Sequence, residues 1–71
     1  MKDYLSIAKE MLQYEPEFKP GGFVFKHRES DRSDLLVSIK SAVDLKSDMY
    51  DLERDDIGQI SECILTILSS N

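Results

Sequence analysis

The residues that could carry out chemistry in this chain are one cysteine, one histidine and a surplus of acidic side chains. Cys63 falls within a run of isoleucines, where burial suppresses the reactivity of a thiol. His27 stands between two basic residues and is typical of a surface histidine. The sequence contains no nucleophile elbow, no phosphate-binding glycine loop and no His-Glu-x-x-His pattern. We therefore expect no catalytic residues, and we expect that the protein is not an enzyme.

Metal and cofactor sites are also excluded by residue types and spacing. One cysteine and one histidine cannot supply the three or four ligands of a structural zinc ion. The aspartates lack the alternate spacing, central glycine and terminal glutamate of a calcium-binding loop. We expect neither a metal nor a cofactor.

Four aspartates recur at intervals of four, three and four residues: Asp44, Asp48, Asp51 and Asp55. On one continuous helix they would lie on one face, about 5 Å apart for each turn. The phosphates of a DNA strand have a similar spacing, so this face could imitate nucleic acid and occupy a basic groove. The same pattern is also typical of a solvated helix face.

A basic cluster is interleaved with phenylalanines: Phe23, Phe25, Lys26, His27, Arg28 and Arg32. This composition is typical of surfaces that bind single-stranded nucleic acid, but Glu29 and Asp31 dilute its charge. A helix-turn-helix reader needs a positive recognition helix, whereas the last helical segment carries only Glu62 as a charged residue. With a net charge of −5, direct nucleic-acid binding is not expected. The basic cluster is better suited to the acidic link of a neighbouring subunit.

Hydrophobic periodicity predicts a mainly α single small domain, 1–71, with helices at about residues 2–14, 34–52 and 56–69. The first helix ends at Glu15 because a residue before proline is excluded from the α region. The last begins with a capping pattern at Asp56. We expect helices two and three to form an antiparallel hairpin, with the first helix across its open face.

The segment between the first two helices contains a hinge at residues 16–22, rich in proline and glycine. Residues 23–28 follow, and their β-favouring side chains predict an extended arm or a short strand. Three arrangements remain open. The segment pairs with its copy in another subunit, pairs with a foreign chain, or docks its phenylalanines on the helices.

The size of the chain favours self-association. Seventy-one residues bury a modest core, and a single cysteine excludes an internal disulfide. The apolar faces exceed what three short helices cover, so we expect Leu65, Val37 or the phenylalanines Phe23 and Phe25 to be exposed unless a second chain covers them. A homo-oligomer, most simply a homodimer, is predicted.

The sequence contains no apolar run of the roughly 20 residues needed to span a bilayer, and its start lacks a signal-peptide pattern. We expect a cytoplasmic protein with no membrane association. The composition favours a non-enzymatic acidic regulatory or inhibitory protein that acts through protein–protein contacts. The alternative is a nucleic-acid-mimicking inhibitor of a DNA- or RNA-binding protein. The candidate partner-binding residues are Phe23, Phe25, Asp44, Asp48, Asp51, Asp55 and Leu65.

Overall fold

A computed structural model describes residues 2–26 and 31–70. Within those ranges the chain forms helices and turns, and none of these residues belongs to a strand. The α-helices are α1 Tyr4–Tyr14, α2 Phe23–Lys26, α3 Arg32–Leu45, α4 Ser47–Tyr50 and α5 Arg54–Ser69, with a 3₁₀ turn at Pro16–Phe18. Three of the α-helices are long, and two are single turns.

Local signals set both ends of α1. The Asp3 carboxylate accepts a hydrogen bond from the Ser6 amide at 3.2 Å and caps the first turn. The helix ends before Glu15, which has extended φ and ψ angles and precedes Pro16. The predicted end of this helix is confirmed.

The core forms where α5 packs against both α1 and α3. Its buried apolar side chains are Ala8, Met11, Val24, Leu35, Ile39, Ala42, Val43, Ile60, Ile64 and Leu65. Ser61 is also fully buried, and its hydroxyl donates to the Ile57 carbonyl at 2.7 Å. This buried hydroxyl is therefore satisfied within its own helix.

The predicted extended arm at residues 23–28 is wrong. Residues 23–26 form the single turn α2, and the Lys26 amide donates to the Gly22 carbonyl at 3.3 Å. Gly21 makes the preceding turn possible with φ +95°, and Gly22 packs so closely on Glu17 that a Cβ would overlap its carbonyl. A helical turn makes hydrogen bonds within its own backbone, whereas a lone strand makes none. Residues 27 and 28 lie outside the described residues.

The predicted continuous helix at 34–52 is also wrong. The segment starts earlier, at Arg32, and divides into α3 and α4 at Lys46, which has φ −101° and ψ 7°. The chain then leaves the helix through Asp51, in the left-handed region with φ 56° and ψ 56°. The expected architecture of three helices and an arm is thus replaced by three long helices, two single turns and a 3₁₀ turn.

The start of α5 differs from the expected cap at Asp56. Glu53 is the N-cap, and its amide donates to Asp56 Oδ2 at 2.9 Å. Asp56 therefore occupies the third helical position of a capping box instead of the N-cap position.

Candidate partner-binding surfaces

Buried polar contacts hold the break between α3 and α4 against the end of α1. Lys46 Nζ lies 3.0 Å from Glu15 Oε1, and the Tyr50 hydroxyl donates to Glu15 Oε2 at 2.8 Å. Lys46 Nζ also lies 3.4 Å from Glu17 Oε1. The hydrogen bond from Lys46 is the main cause that lowers the pKa of Glu15, against burial, which raises it. Lys46 and Tyr50 are thereby fixed on the inward side of the chain.

The side chains beside this inward pair point to solvent. The Tyr50 amide donates to the Lys46 carbonyl at 3.1 Å, so helical spacing continues across the break. Residues 45 and 49 form the adjacent row, and Leu45 and Met49 are each 68% exposed. Exposed aspartates surround them. We call this set the junction surface: Asp44, Leu45, Asp48, Met49 and Asp51.

The four candidate aspartates are all exposed, but the expected single acidic helix face is wrong. Asp44 is in α3, Asp48 in α4 and Asp55 in α5, while Asp51 has the left-handed backbone. Asp44 lines an open depression with Lys40 and Arg54, and Asp55 lines a second depression with the same two cations. Asp44 and Asp55 therefore lie beside positive charge, whereas Asp48 and Asp51 line neither depression.

The phenylalanines form a second exposed area. Phe23 is 36% exposed and Phe25 is 41% exposed, whereas Val24 between them is buried. Phe25 borders a small apolar crevice of about 20 Å³ with Leu12, Phe18, Val24 and Leu68. Two exposed lysines flank this turn. We call this set the aromatic surface: Lys19, Phe23, Phe25 and Lys26.

Leu65 does not join either surface, and its expected exposure is wrong. It is 1% exposed because α5 packs on two sides, against α1 and α3, so its buried face is wider than one stripe. Cys63 is half-buried and carries a free thiol. His27 lies outside the described residues.

Asp56 makes polar contacts to the N-terminal residues Lys2 and Tyr4, and the sequence alone did not predict them. Its carboxylate accepts from the Tyr4 hydroxyl at 2.8 Å and lies 3.0 Å from Lys2 Nζ. Together with the Glu53 amide these contacts lower the pKa of Asp56 to about 2. The spacing of Glu53 and Asp56 was the available signal for the cap. The site joins the N-terminus to α5 and is structural.

In the part of the chain that the structure describes, no three His, Cys, Asp or Glu side chains are grouped to hold a metal ion. None of the described helices is both long and apolar enough to cross a bilayer. The junction surface and the aromatic surface instead combine exposed apolar side chains with charge.

Comparison with protein-family models, with curated proteins and with solved structures finds no match for this chain.

Proposed function

We propose that this chain is a non-enzymatic regulatory or inhibitory protein that binds another protein through the junction surface. The observation that carries the proposal is the 68% exposure of both Leu45 and Met49 within a group of aspartates. Protein interfaces commonly have an apolar centre and a polar rim. Leu45 and Met49 supply the centre here, and the aspartates supply the rim.

The charge of this surface defines the chemistry of its partner. The chain carries a net charge of −5, and Asp48 and Asp51 have no ion-pair partner among the described residues. A complementary partner presents an apolar pocket edged by lysine or arginine. Opposite charge would speed the encounter and exclude acidic proteins, while the apolar side chains supply most of the affinity.

The alternative of a nucleic-acid-mimicking inhibitor has less support. Such a mimic needs evenly spaced carboxylates along one continuous face. Here the chain leaves the helix at Asp51, between Asp48 and Asp55, and Asp44 lies beside two cations. Two prominent apolar side chains in the middle of the acidic group also favour a protein partner over a phosphate-binding groove.

The experiment compares affinity-tagged wild type with a Leu45→Lys/Met49→Lys double variant in cells of the source organism. The matched control is Val37→Lys, since Val37 is also an apolar α3 side chain and is 64% exposed. Captured proteins are quantified by mass spectrometry. We expect at least one protein other than this chain itself to be retained by wild type and the control and depleted about tenfold or more by the double variant, which corresponds to about 1.4 kcal/mol.

Circular dichroism of the three purified proteins tests that the changes act on binding. All substituted side chains are exposed, so each substitution should alter the free energy of unfolding by no more than about 0.5 kcal/mol. The same capture profile for the double variant and the control would overturn the proposal.

A further inference from the structure

We propose that the chain associates with itself head to tail, the aromatic surface of one copy binding the junction surface of a second copy. This contact goes beyond the proposed function, because its partner is the same chain. Three observations support this contact: the charges of the two surfaces, their exposed apolar side chains and their positions in the fold.

The charges of the two surfaces are complementary. Residues 19–26 contain two lysines and no acidic residue, whereas residues 44–56 contain six acidic and two basic residues. Lys19 and Lys26 are exposed, and neither forms an ion pair within the described parts of the chain. One copy therefore offers ammonium groups without an ion-pair partner, and the other offers the carboxylate of Asp48 together with that of Asp51, which lies within electrostatic range of Lys2.

The apolar features of the two surfaces are also complementary. The crevice beside Phe25 and Leu68 has about 20 Å³ of free space, enough for the end of one aliphatic side chain. Leu45 and Met49 are the most exposed large apolar side chains of the described residues and can enter such a crevice. A methionine sulfur beside a phenylalanine ring adds a further favourable contact.

The two surfaces do not cover each other within one molecule. The crevice includes Leu68 in the last turn of α5, whereas the depression beside Asp44 includes Arg54 in its first turn. Fourteen residues of helix separate these positions, which corresponds to about 21 Å. Leu45 and Phe25 both remain exposed in the single chain. Contact between the surfaces therefore requires two copies.

Whether such a contact is isologous or heterologous depends on how the two copies are arranged. Two copies placed side by side in opposite directions make it twice and form a closed dimer, whereas any other arrangement extends into a ring or a chain. In each of these assemblies the junction surface is covered. A partner of the kind proposed above then competes with the second copy, and this consequence alone rests on the proposed function.

Charge reversal with rescue tests the contact directly. Sedimentation equilibrium of the purified protein over a concentration series compares wild type with Lys26→Glu and with Asp48→Lys. Each variant brings like charges together and should self-associate about tenfold more weakly than wild type. In an equimolar mixture the introduced glutamate faces the introduced lysine, while the unaltered Lys26 and Asp48 of the two variants face each other. Association should return to the wild-type level.

The control is Lys9→Glu, which reverses an exposed lysine of α1 outside both surfaces and should leave association unchanged. Circular dichroism confirms that each variant is folded. A wild-type mass of 8.2 kDa at every concentration would overturn the proposal. So would an oligomer that the reversals leave intact, or one that mixing fails to restore. None of these results affects the capture of a different protein, which tests the proposed function separately.

Discussion

Asp56 shows how much one side chain does in a domain of this size. Its carboxylate accepts from the Glu53 amide, from the Tyr4 hydroxyl and from Lys2, with distances of 2.9, 2.8 and 3.0 Å. All three contacts favour the charged carboxylate, and the backbone amide is the largest cause of its lowered pKa. One group thus caps α5 and fastens the N-terminus to it.

The stability of the fold should therefore depend on pH through Asp56. Its pKa in the folded protein is about 2, below the ordinary 3.8, so its contribution is complete above about pH 4 and is lost as pH falls toward about 2. Glu15, whose pKa is also lowered, adds to the acid loss. We expect Asp56→Asn to lower stability at neutral pH and to flatten the acid dependence. Urea unfolding across this pH range measures both effects.

Asp44→Asn is the control for this experiment, because Asp44 is exposed and forms no ion pair in the described structure. It should retain the acid dependence of wild type. An equal slope for Asp56→Asn and wild type between about pH 4 and about pH 2 would contradict the assignment.

The break between α3 and α4 is the main feature at the scale of elements. Lys46 and Tyr50 both reach Glu15 at the end of α1, and the backbone between them tightens and then leaves the helix at Asp51. A left-handed residue with a side chain is strained, although aspartate tolerates it better than most. The polar contacts to α1 thus lie at the place where the helical segment divides.

Replacing Asp51 by glycine should stabilise the protein. Glycine adopts φ 56° without the steric cost of about 1–2 kcal/mol that a side chain carries there. Its greater freedom in the unfolded chain offsets about 0.4–1 kcal/mol of this, so we expect a net gain of about 0.5–1 kcal/mol in the free energy of unfolding. Asp48→Gly removes the same charge from inside α4, where the flexibility of glycine should cost a similar amount. Chemical denaturation measures the free energy of unfolding of both variants. A loss of stability in Asp51→Gly would contradict the prediction and show that the Asp51 side chain stabilises this turn.

Two glycines of the chain should respond in opposite ways to replacement by alanine, because one has open space around it and the other does not. Gly58 lies inside α5 with open space around an added Cβ, so Gly58→Ala should raise the free energy of unfolding by about 1 kcal/mol. Gly22→Ala should lower it, because the new methyl group would overlap the Pro16 and Glu17 carbonyls. Thermal unfolding of the two variants should give shifts of opposite sign. Shifts of the same sign would contradict this account of the turn before α2.

The sequence allowed prediction of those elements whose signals are local. Asp3 and Pro16 mark the ends of α1, and the isoleucines of α5 mark its apolar face. The burial of Leu65 was not predictable, because it depends on α5 packing between two helices. The break at Lys46 depends on Glu15, thirty-one positions earlier in the chain. The four aspartates were correctly identified as exposed, but their arrangement followed from that break.

At the scale of the whole molecule, charge is unevenly distributed along the chain. The turn that carries the aromatic surface is basic, and the segment from α4 to the start of α5 is acidic. Uneven charge of this kind directs association over distances comparable to the Debye length, about 10 Å at 0.1 M salt. The orientation in which two copies meet is thereby selected before their apolar side chains make contact.

Self-association should therefore weaken as salt is added. The Debye length falls to about 3 Å at 1 M salt, which screens Lys26 from Asp48 but leaves the apolar contacts. Sedimentation equilibrium in low and high sodium chloride should show a lower mean mass at high salt. The Lys26→Glu variant should not show this decrease in mean mass with salt, because residue 26 of one copy and Asp48 of the other no longer attract each other. A mass that rises with salt in the wild type would indicate an interface that depends on apolar contacts alone.

The separation of inward and outward side chains at the junction has a consequence for the divergence of related sequences. Lys46 and Tyr50 maintain the backbone through Glu15, whereas Leu45 and Met49 contribute little to the core. Selection can therefore change positions 45 and 49 without loss of the fold. Descendants that retain Glu15, Lys46 and Tyr50 but differ at these two positions would recognise different proteins. A library randomised only there would sample new binding specificities on an unchanged scaffold.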